Sequence, residues 1–564
     1  MDIPESYPRG VPISIKYPVM PVYEFWKNSA RKFPERNAVI YFDAKHSYSS
    51  LWDQMERFAS NLIRMGINKG DRVALLLPNT PQFLIAYNAI LLCGATVVAL
   101  NPIQQVEEIE RQITTTRSKL LIILDRLLGK LPETHPELII AEAAYYVPSR
   151  LRLLSRIKYR IKRPAKANRF EHLIQGPKLS EYPKIDPVEN IAVILFTSGT
   201  TGLPKGVMLT HYGQIANALQ SYYWLRGWGY SSKPQPAGYP VILCAMPFFH
   251  SYGLVVMNEA VSFGCTMALL PNPTAKDIME VTHSHKITHF PLIPRLIREV
   301  VEHPKLNKYN LTSLTTCSSG GAHIPVPLMK RFEEICGARM YQGYGLTEAG
   351  PTVSATPIEG NPVYESTGLP YPDTEVKIVD LQLSELEKAP LEKGEIIVKG
   401  PQLMKGYLDD PKATAAILKD GWLYTGDVGF RDEKGYLYIV GRKTDRIVAG
   451  GHTVWPTLVE EVLTSHSDVE YAVALGVPDP LRCSTNIRAI IVPRKDVDTS
   501  KLEKELIELC RNILAEYEVP TRILFRDTLP LTLLGKVDRK KIIEEVDAMI
   551  NKMTKDNEIP EEYR

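Results

Sequence analysis

The sequence predicts an α/β protein: a large N-terminal domain of layered α/β subdomains with a β-rich end, then a small α+β domain. Three observations predict it. At 564 residues the chain is too long for a single hydrophobic core. From residue 72 onward short apolar strand patterns alternate with helical ones, as in parallel α/β layers. At Gly441-Arg-Lys-Thr-Asp-Arg446 the texture changes from glycine-punctuated β segments to a compact unit with its own helical stretch.

The elements follow in order. Arg72-Val-Ala-Leu-Leu-Leu77 reads as a strand, Pro81 to Cys93 as a helix, and Thr96-Val-Val-Ala-Leu100 as the next strand. Ile191-Ala-Val-Ile-Leu-Phe196 is apolar without interruption, the pattern of a strand covered on both faces. Similar runs stand at Val241 to Cys244, Thr266 to Leu270 and Thr288 to Leu292. Short β segments continue from Glu375 to Val440, and Lys501 to Tyr517 reads as a helix of the last unit. No fixed-period repeat or low-complexity tract interrupts the order.

Composition narrows the class. Hydrophobic residues at 44% and charged residues at 23% are ordinary for a soluble enzyme. A net charge of +3 is too small to point to nucleic acid. Seven scattered cysteines with no Cys-x-x-Cys pair argue against a zinc ribbon or disulfide scaffold and fit a reducing cytoplasm. The start, Met1-Asp-Ile-Pro-Glu5, lacks the basic and apolar regions of a signal peptide. The longest apolar run, Ala89 to Leu100, falls short of the ~20 residues that a spanning helix needs. His283, His285 and His289 do not share one helical face and have no acidic or cysteine partner at metal-site spacing.

Arg150 to Arg169 stands apart, with nine Lys/Arg and no acid. Leu154, Ile157 and Ile161 recur among them at helical spacing. Two readings remain open: a solvated insertion, or a basic amphipathic helix that makes peripheral contact with an anionic membrane.

The most telling segment is Thr197-Ser-Gly-Thr-Thr-Gly-Leu-Pro-Lys-Gly206, directly after the apolar strand. Four hydroxyls, three glycines and a lysine suit a loop wrapped around phosphate: glycines permit close approach, hydroxyls donate, and Lys205 brings charge. The P-loop spacing does not fit, because five residues after Gly199 comes Pro204. Six further segments follow: Pro247-Phe-Phe-His250, Ser318-Ser-Gly-Gly-Ala322, Tyr341-Gln-Gly-Tyr-Gly-Leu-Thr-Glu348, Tyr424-Thr-Gly-Asp427, Gly441-Arg442 and Thr532-Leu-Leu-Gly-Lys536.

In this order the set resembles the AMP-forming acyl-adenylate superfamily of acyl-CoA synthetases, luciferases and adenylation domains. Within it the chain is most similar to medium- and long-chain fatty acyl-CoA synthetases. The resemblance implies ATP, Mg²⁺ and coenzyme A. Thr197, Ser198, Gly199, Thr200, Thr201, Gly202 and Lys205 would grip the β- and γ-phosphates. Gly320, Gly321 and Ala322 would form a flat slot for adenine, and Tyr344 would stack on the adenine. Asp427 would hold the ribose hydroxyls and Arg442 the nucleotide. Thr347 would touch the α-phosphate, Glu348 would hold Mg²⁺, and His250 would flank the acyl pocket. Lys536 would bridge the substrate carboxylate and the α-phosphate. Residues 1–441 would form the large domain, 442–445 a hinge and 446–564 a small mobile domain. Gly450 and Gly451 would line its CoA tunnel.

The same resemblance bears on the acid. Acetyl-CoA synthetases close their pocket with a tryptophan where this chain has Gly345, and some long-chain members place a tryptophan gate where it has Leu254. The expected substrate is a medium- to long-chain fatty acid, with a short hydroxy acid such as 4-hydroxybutyrate or an aryl acid as rivals. A carrier-loading adenylation enzyme, a luciferase-like oxygenase and an idle nucleotide binder are the readings from other classes. Thr444 at the hinge, Leu458 in place of a glutamate, and Cys483-Ser484 in place of Gly-Glu depart from the family pattern. All three lie on the thioester half of the reaction.

Overall fold

A computed structural model describes residues 6–158, 164, 166–197, 204–227, 238–358, 363–384, 386–449, 452–479, 484–495, 497–531 and 537–556. Ser198, Gly199, Thr200, Thr201, Gly202, Gly450, Gly451, Cys483 and Lys536 lie outside them. Among the described residues, two large sheets form the body of the big domain. One is eight-stranded and carries Arg72–Leu76, Thr96–Ala99 and Ile191–Phe196 side by side in parallel register. The other is nine-stranded, with Val241–Cys244, His289–Leu292, Thr316–Ser319 and Arg339–Gly345 as consecutive parallel neighbours. The expected strands stand within a residue of these bounds.

One buried cluster joins the two sheets, with Val73, Val97 and Val193 from one and Val39, Ile242 and Met267 from the other. The helix Pro81–Leu92 belongs to that cluster and is buried on every face, which is why its sequence is apolar all round. Its start is fixed locally: the Thr80 side chain accepts from the Phe83 N–H, and Pro81 occupies the first turn. A five-stranded sheet with Glu375–Val379, Gly394–Lys399, Trp422–Arg431 and Leu437–Arg442 makes the β-rich end.

The last unit is built on the strands Val469–Asp479, Ser484–Pro493 and Arg522–Phe525. Its period-two pattern decides the packing: Ala472 and Ala474 join the core under Leu502, Leu506 and Cys510, while Val473 and Leu475 meet Ile542 and Val546. The helix expected over 501–517 runs Thr499–Ile513 and stops there. Leu514 turns to an extended backbone, packing partly against the core, and Glu516–Glu518 forms a separate turn.

The basic stretch is two elements, not one helix. Ser149–Lys158 is helical, whereas Asn168–Arg169 is a short strand paired with Glu137–Ala141. Arg152 and Arg169 approach the buried carboxylate of Glu142 at 4.0 and 3.7 Å, so part of this charge is neutralised within the fold. No helix among the described residues is long and apolar enough to cross a membrane.

Candidate active site

Several of the sequence motifs follow the carboxyl end of a strand, where open α/β sheets leave room for ligands. Thr197 follows Ile191–Phe196, Gly320 follows Thr316–Ser319, and Thr347 follows Arg339–Gly345. These ends open into one cleft of about 2420 Å³, lined by both large sheets, the β-rich end and the small domain.

At one end Tyr344, Asp427 and Arg442 form a connected set. Asp427 and Arg442 are directly opposed on antiparallel strands, and the Arg442 Nε lies 2.7 Å from Asp427 Oδ1. The Tyr344 hydroxyl donates to Asp427 Oδ2 at 2.5 Å. Burial and the Asp427 carboxylate hold the Tyr344 phenol well above its ordinary range, so it stays a donor. The carboxylate is 8% exposed and the guanidinium side chain 42%, leaving Arg442 reachable from the cleft. Gly320, Gly321 and Ala322 line the same cleft, with Gly321 at φ +81. An added Cβ at Gly320 would meet the Tyr252 ring at 3.5 Å, so that glycine borders the ring.

Next to it lies a second corner of the cleft. The Thr197 N–H donates to the Lys205 carbonyl at 3.1 Å, joining the two ends of the Thr197–Gly206 segment. Lys205 Nζ stands 5.0 Å from the centre of the Tyr407 ring, and the Tyr407 hydroxyl donates to Glu348 Oε1 at 2.7 Å. Tyr407 thus joins the loop lysine to the Glu348 carboxylate, a role that its sequence neighbourhood does not announce. Its place comes from the two-residue strand Gly406–Tyr407, which pairs with Gly206–Thr210. Thr347 Oγ1 lies 3.5 Å from Ser251 Oγ.

His250 caps the helix Ser251–Ser262, its Nδ1 accepting from the Tyr252 N–H. Buried Asn79 fixes the segment leading there, donating to the carbonyls of Cys244 and Met246 and accepting from the Phe248 N–H. Leu254, expected in the substrate pocket, is a correction: it is 1% exposed in the main core and does not line the cleft. The cleft-facing positions of the helix are Ser251, Tyr252, Val255, Val256 and Glu259, along one side. Gly345 lines the cleft, but its lack of a side chain has a different cause from pocket depth. A Cβ there would lie 2.2 Å from the Pro351 carbonyl, so backbone crossing demands glycine.

The small domain supplies the remaining wall through Thr457, Leu458, Glu460, Glu461 and Arg539, together with Thr444. Arg539 donates to Glu460 at 2.5 Å and to the Ala474 carbonyl at 2.6 Å. His323, next to Ala322, lies 3.7 Å from Glu461 across the domain boundary. Burial, with Glu460 nearby, pushes the Glu461 carboxyl up to about 7. Leu458 packs against Val428, Val440 and Trp455, which accounts physically for an apolar residue at that position. Leu531 and Val537, bridged to each other on either side of 532–536, also line the cleft. The three clustered histidines are structural: His285 meets Asp43, His283 accepts from the Asn310 N–H, and His289 meets Thr316.

A family model for the AMP-binding enzyme matches residues 26–408, and one for the AMP-binding enzyme C-terminal domain matches residues 458–536. The chain belongs to this family. A long-chain-fatty-acid–CoA ligase of Bacillus subtilis (strain 168) is 37% identical over 554 residues, covering 96% of this chain and 97% of that protein. The o-succinylbenzoate CoA synthetase of Bacillus subtilis, solved with its acyl-adenylate intermediate, superposes with a TM-score of 0.74 at 26% identity. The alignment covers 93% of this chain and 98% of that one. An anthranilate CoA ligase solved with anthranoyl-AMP shares the fold at a TM-score of 0.80 and 21% identity, over 96% of this chain and 99% of its own. As an AMP-forming acid–CoA ligase, this AMP-binding enzyme takes ATP, a carboxylic acid and CoA as substrates.

Proposed function

We propose that this cleft activates a medium- to long-chain aliphatic acid as its acyl-adenylate and then transfers the acyl group to CoA. The observation that carries the reading is the convergence of Tyr344–Asp427–Arg442, Lys205–Tyr407–Glu348 and His250 on one cleft. Val255 and Val256 on its wall, and the Bacillus ligase named above, favour an aliphatic acid.

In the first step a substrate carboxylate oxygen attacks the α-phosphorus and the bond to pyrophosphate breaks. No enzyme nucleophile is needed, so catalysis is positioning and charge stabilisation. Asp427 accepts from the ribose hydroxyls, the Gly320–Ala322 loop borders adenine, and Arg442 meets phosphate charge. Two anions ~4 Å apart repel by roughly 4 kcal/mol at an effective dielectric of 20, the opposition that Lys536 offsets. Glu348 fits Mg²⁺, because a half-buried carboxylate held by one phenol leaves hard oxygen for an ion that takes most ligands from phosphate and water. When bound, that ion supplies charge neutralisation on the departing pyrophosphate.

In the second step the CoA sulfur attacks the adenylate carbonyl and the bond to AMP breaks. Residues 1–441 and 446–564 act as two bodies about 442–445. Arg442 and Lys443 are tied to Asp427 and Glu395, so the turn of the chain falls at Thr444–Asp445. Gly450 and Gly451 belong to the CoA face of the small domain.

AMP release from ATP with a graded series of acids, with and without CoA, tests the reading. Thioester and AMP are expected in equal amounts with aliphatic acids. Pyrophosphate without thioester from every acid would replace it with carrier loading. The basic stretch is read as a peripheral membrane contact, supported by its nine Lys/Arg with no acid between Arg150 and Arg169. Replacing Arg150, Arg156, Arg160, Lys162 and Arg163 by Gln, while keeping Arg152 and Arg169, is expected to abolish cosedimentation with anionic vesicles. Unchanged cosedimentation would leave a solvated insertion.

A further inference from the structure

Glu259 is the unexplained group of the acyl wall. It sits on the helix Ser251–Ser262, ten of whose twelve residues are buried, and is itself 5% exposed. A carboxyl in such surroundings is costly unless it meets a partner. Among the described residues no cation pairs with it, and its hydrogen bond comes from the Ser221 hydroxyl at 2.7 Å. Burial pushes it up to about 7. Glu259 nevertheless lines the cleft, together with Ser221, Tyr341 and Tyr371, and Tyr371 faces Ser221. Polar groups from separate segments therefore gather at one place on the wall, beside the aliphatic Val255 and Val256.

Position along the helix says where on the acid this group acts. Tyr252, Val255, Val256 and Glu259 succeed each other along one face, leading away from His250. Glu259 lies nine residues beyond His250, an axial distance on the order of 13 Å, shortened because helical side chains lean back toward the N-terminus. The carboxylate end of the substrate lies near His250 and Thr347, so Glu259 meets the chain several carbons further on. A hydrocarbon tail there would strip water from the carboxyl and return nothing. A hydroxyl both donates and accepts, so it pairs with the carboxyl in either protonation state and with Ser221. An ammonium would pair only with the ionised form and would itself be buried.

We propose that Glu259, with Ser221, selects aliphatic acids that carry a hydroxyl several carbons from the carboxyl group. This rests on the acid–CoA ligase reading and names its substrate class. It is tested by kcat/KM for thioester formation with straight-chain acids of four to ten carbons and their ω-hydroxy counterparts of equal length. The wild type is expected to favour the best hydroxy acid over its unsubstituted partner by roughly 10²-fold. Glu259→Leu is expected to bring that ratio to about one or below by improving use of the unsubstituted acid, whereas Glu259→Gln keeps a reduced preference. A fall in all activity without a change in ratio marks a structural role and overturns the proposal. So does a wild type that prefers the unsubstituted or the ω-amino acid. Should Glu259→Leu not fold, Ser221→Ala and Glu259→Gln read the same ratio. Turnover of plain acids with no hydroxyl preference removes this inference and leaves the ligase reading standing; no thioester from any acid removes both.

Discussion

At the nucleotide end proposed for the cleft, Tyr344, Asp427 and Arg442 are linked through one hydrogen bond and one ion pair, the last two residues directly opposed on paired strands. At the acyl end, Ser221, Glu259, Tyr341 and Tyr371 come from four separate segments and meet only through the fold. The nucleotide is the same in every turnover, and two of the residues proposed to bind it are set opposite each other by backbone pairing. The acid is the variable partner, and the site proposed for it consists of side chains on a helix face and neighbouring walls. Those can change without altering the backbone.

The largest expected effect tests whether the two ends serve one reaction. Lys536→Ala is expected to slow adenylate formation by roughly 10³-fold while ATP binding and thioester formation from supplied acyl-adenylate stay within about twofold. Half-reaction assays check this, and equal loss of both steps would remove Lys536 from the first. Next, Asp427→Ala breaks the nucleotide end alone. Losing charge-assisted hydrogen bonds is expected to raise the KM for ATP by roughly 10–100-fold with the ranking of acids unchanged. A shift in acid ranking would show that the two ends are coupled.

The smallest effect sharpens the acyl end through stability. Glu259 is raised from 4.5 to about 7, so the folded protein holds a proton there that the unfolded chain has released. Its contribution to stability is therefore present at low pH and falls as pH rises through this window. Around it, burial lifts Tyr252, Tyr341, Tyr371, Cys244 and Cys265 and lowers His289 to about 3, so none of these titrates in the same range. Relative to wild type, Glu259→Gln should gain up to about 3 kcal/mol between about pH 5 and pH 8 in denaturant titrations. A pH-independent difference would mean that the carboxyl is solvated.

Much of the nucleotide end was legible in the sequence, because a strand followed by a small-residue loop is a local pattern. Gly320, Thr347, Asp427 and Arg442, each from a different motif, all line the one cleft. Tyr407 was not legible, since its position depends on pairing with a strand some two hundred residues earlier. Leu254 was misread for a related reason. Its place was carried over from the tryptophan gate of some long-chain members, and in this chain that position of the helix Ser251–Ser262 turns into the main core. Gly345 was read as open space, yet the Pro351 carbonyl fills that space, which no one-dimensional pattern reveals.

By itself, the sequence determined that this chain carries out acid activation with ATP. Phosphate and adenine impose nearly the same demands wherever they bind: glycines for close approach, hydroxyls, one lysine and a few carboxylates at strand ends. Those demands are met within short stretches of chain, so they leave a readable trace. Only the tertiary structure decided what faces the acid, because facing depends on helical phase and on contacts between distant segments. Glu259 is one ordinary letter in an apolar run, and it became a candidate for selecting the acid only when Ser221 and two tyrosines were brought to its side.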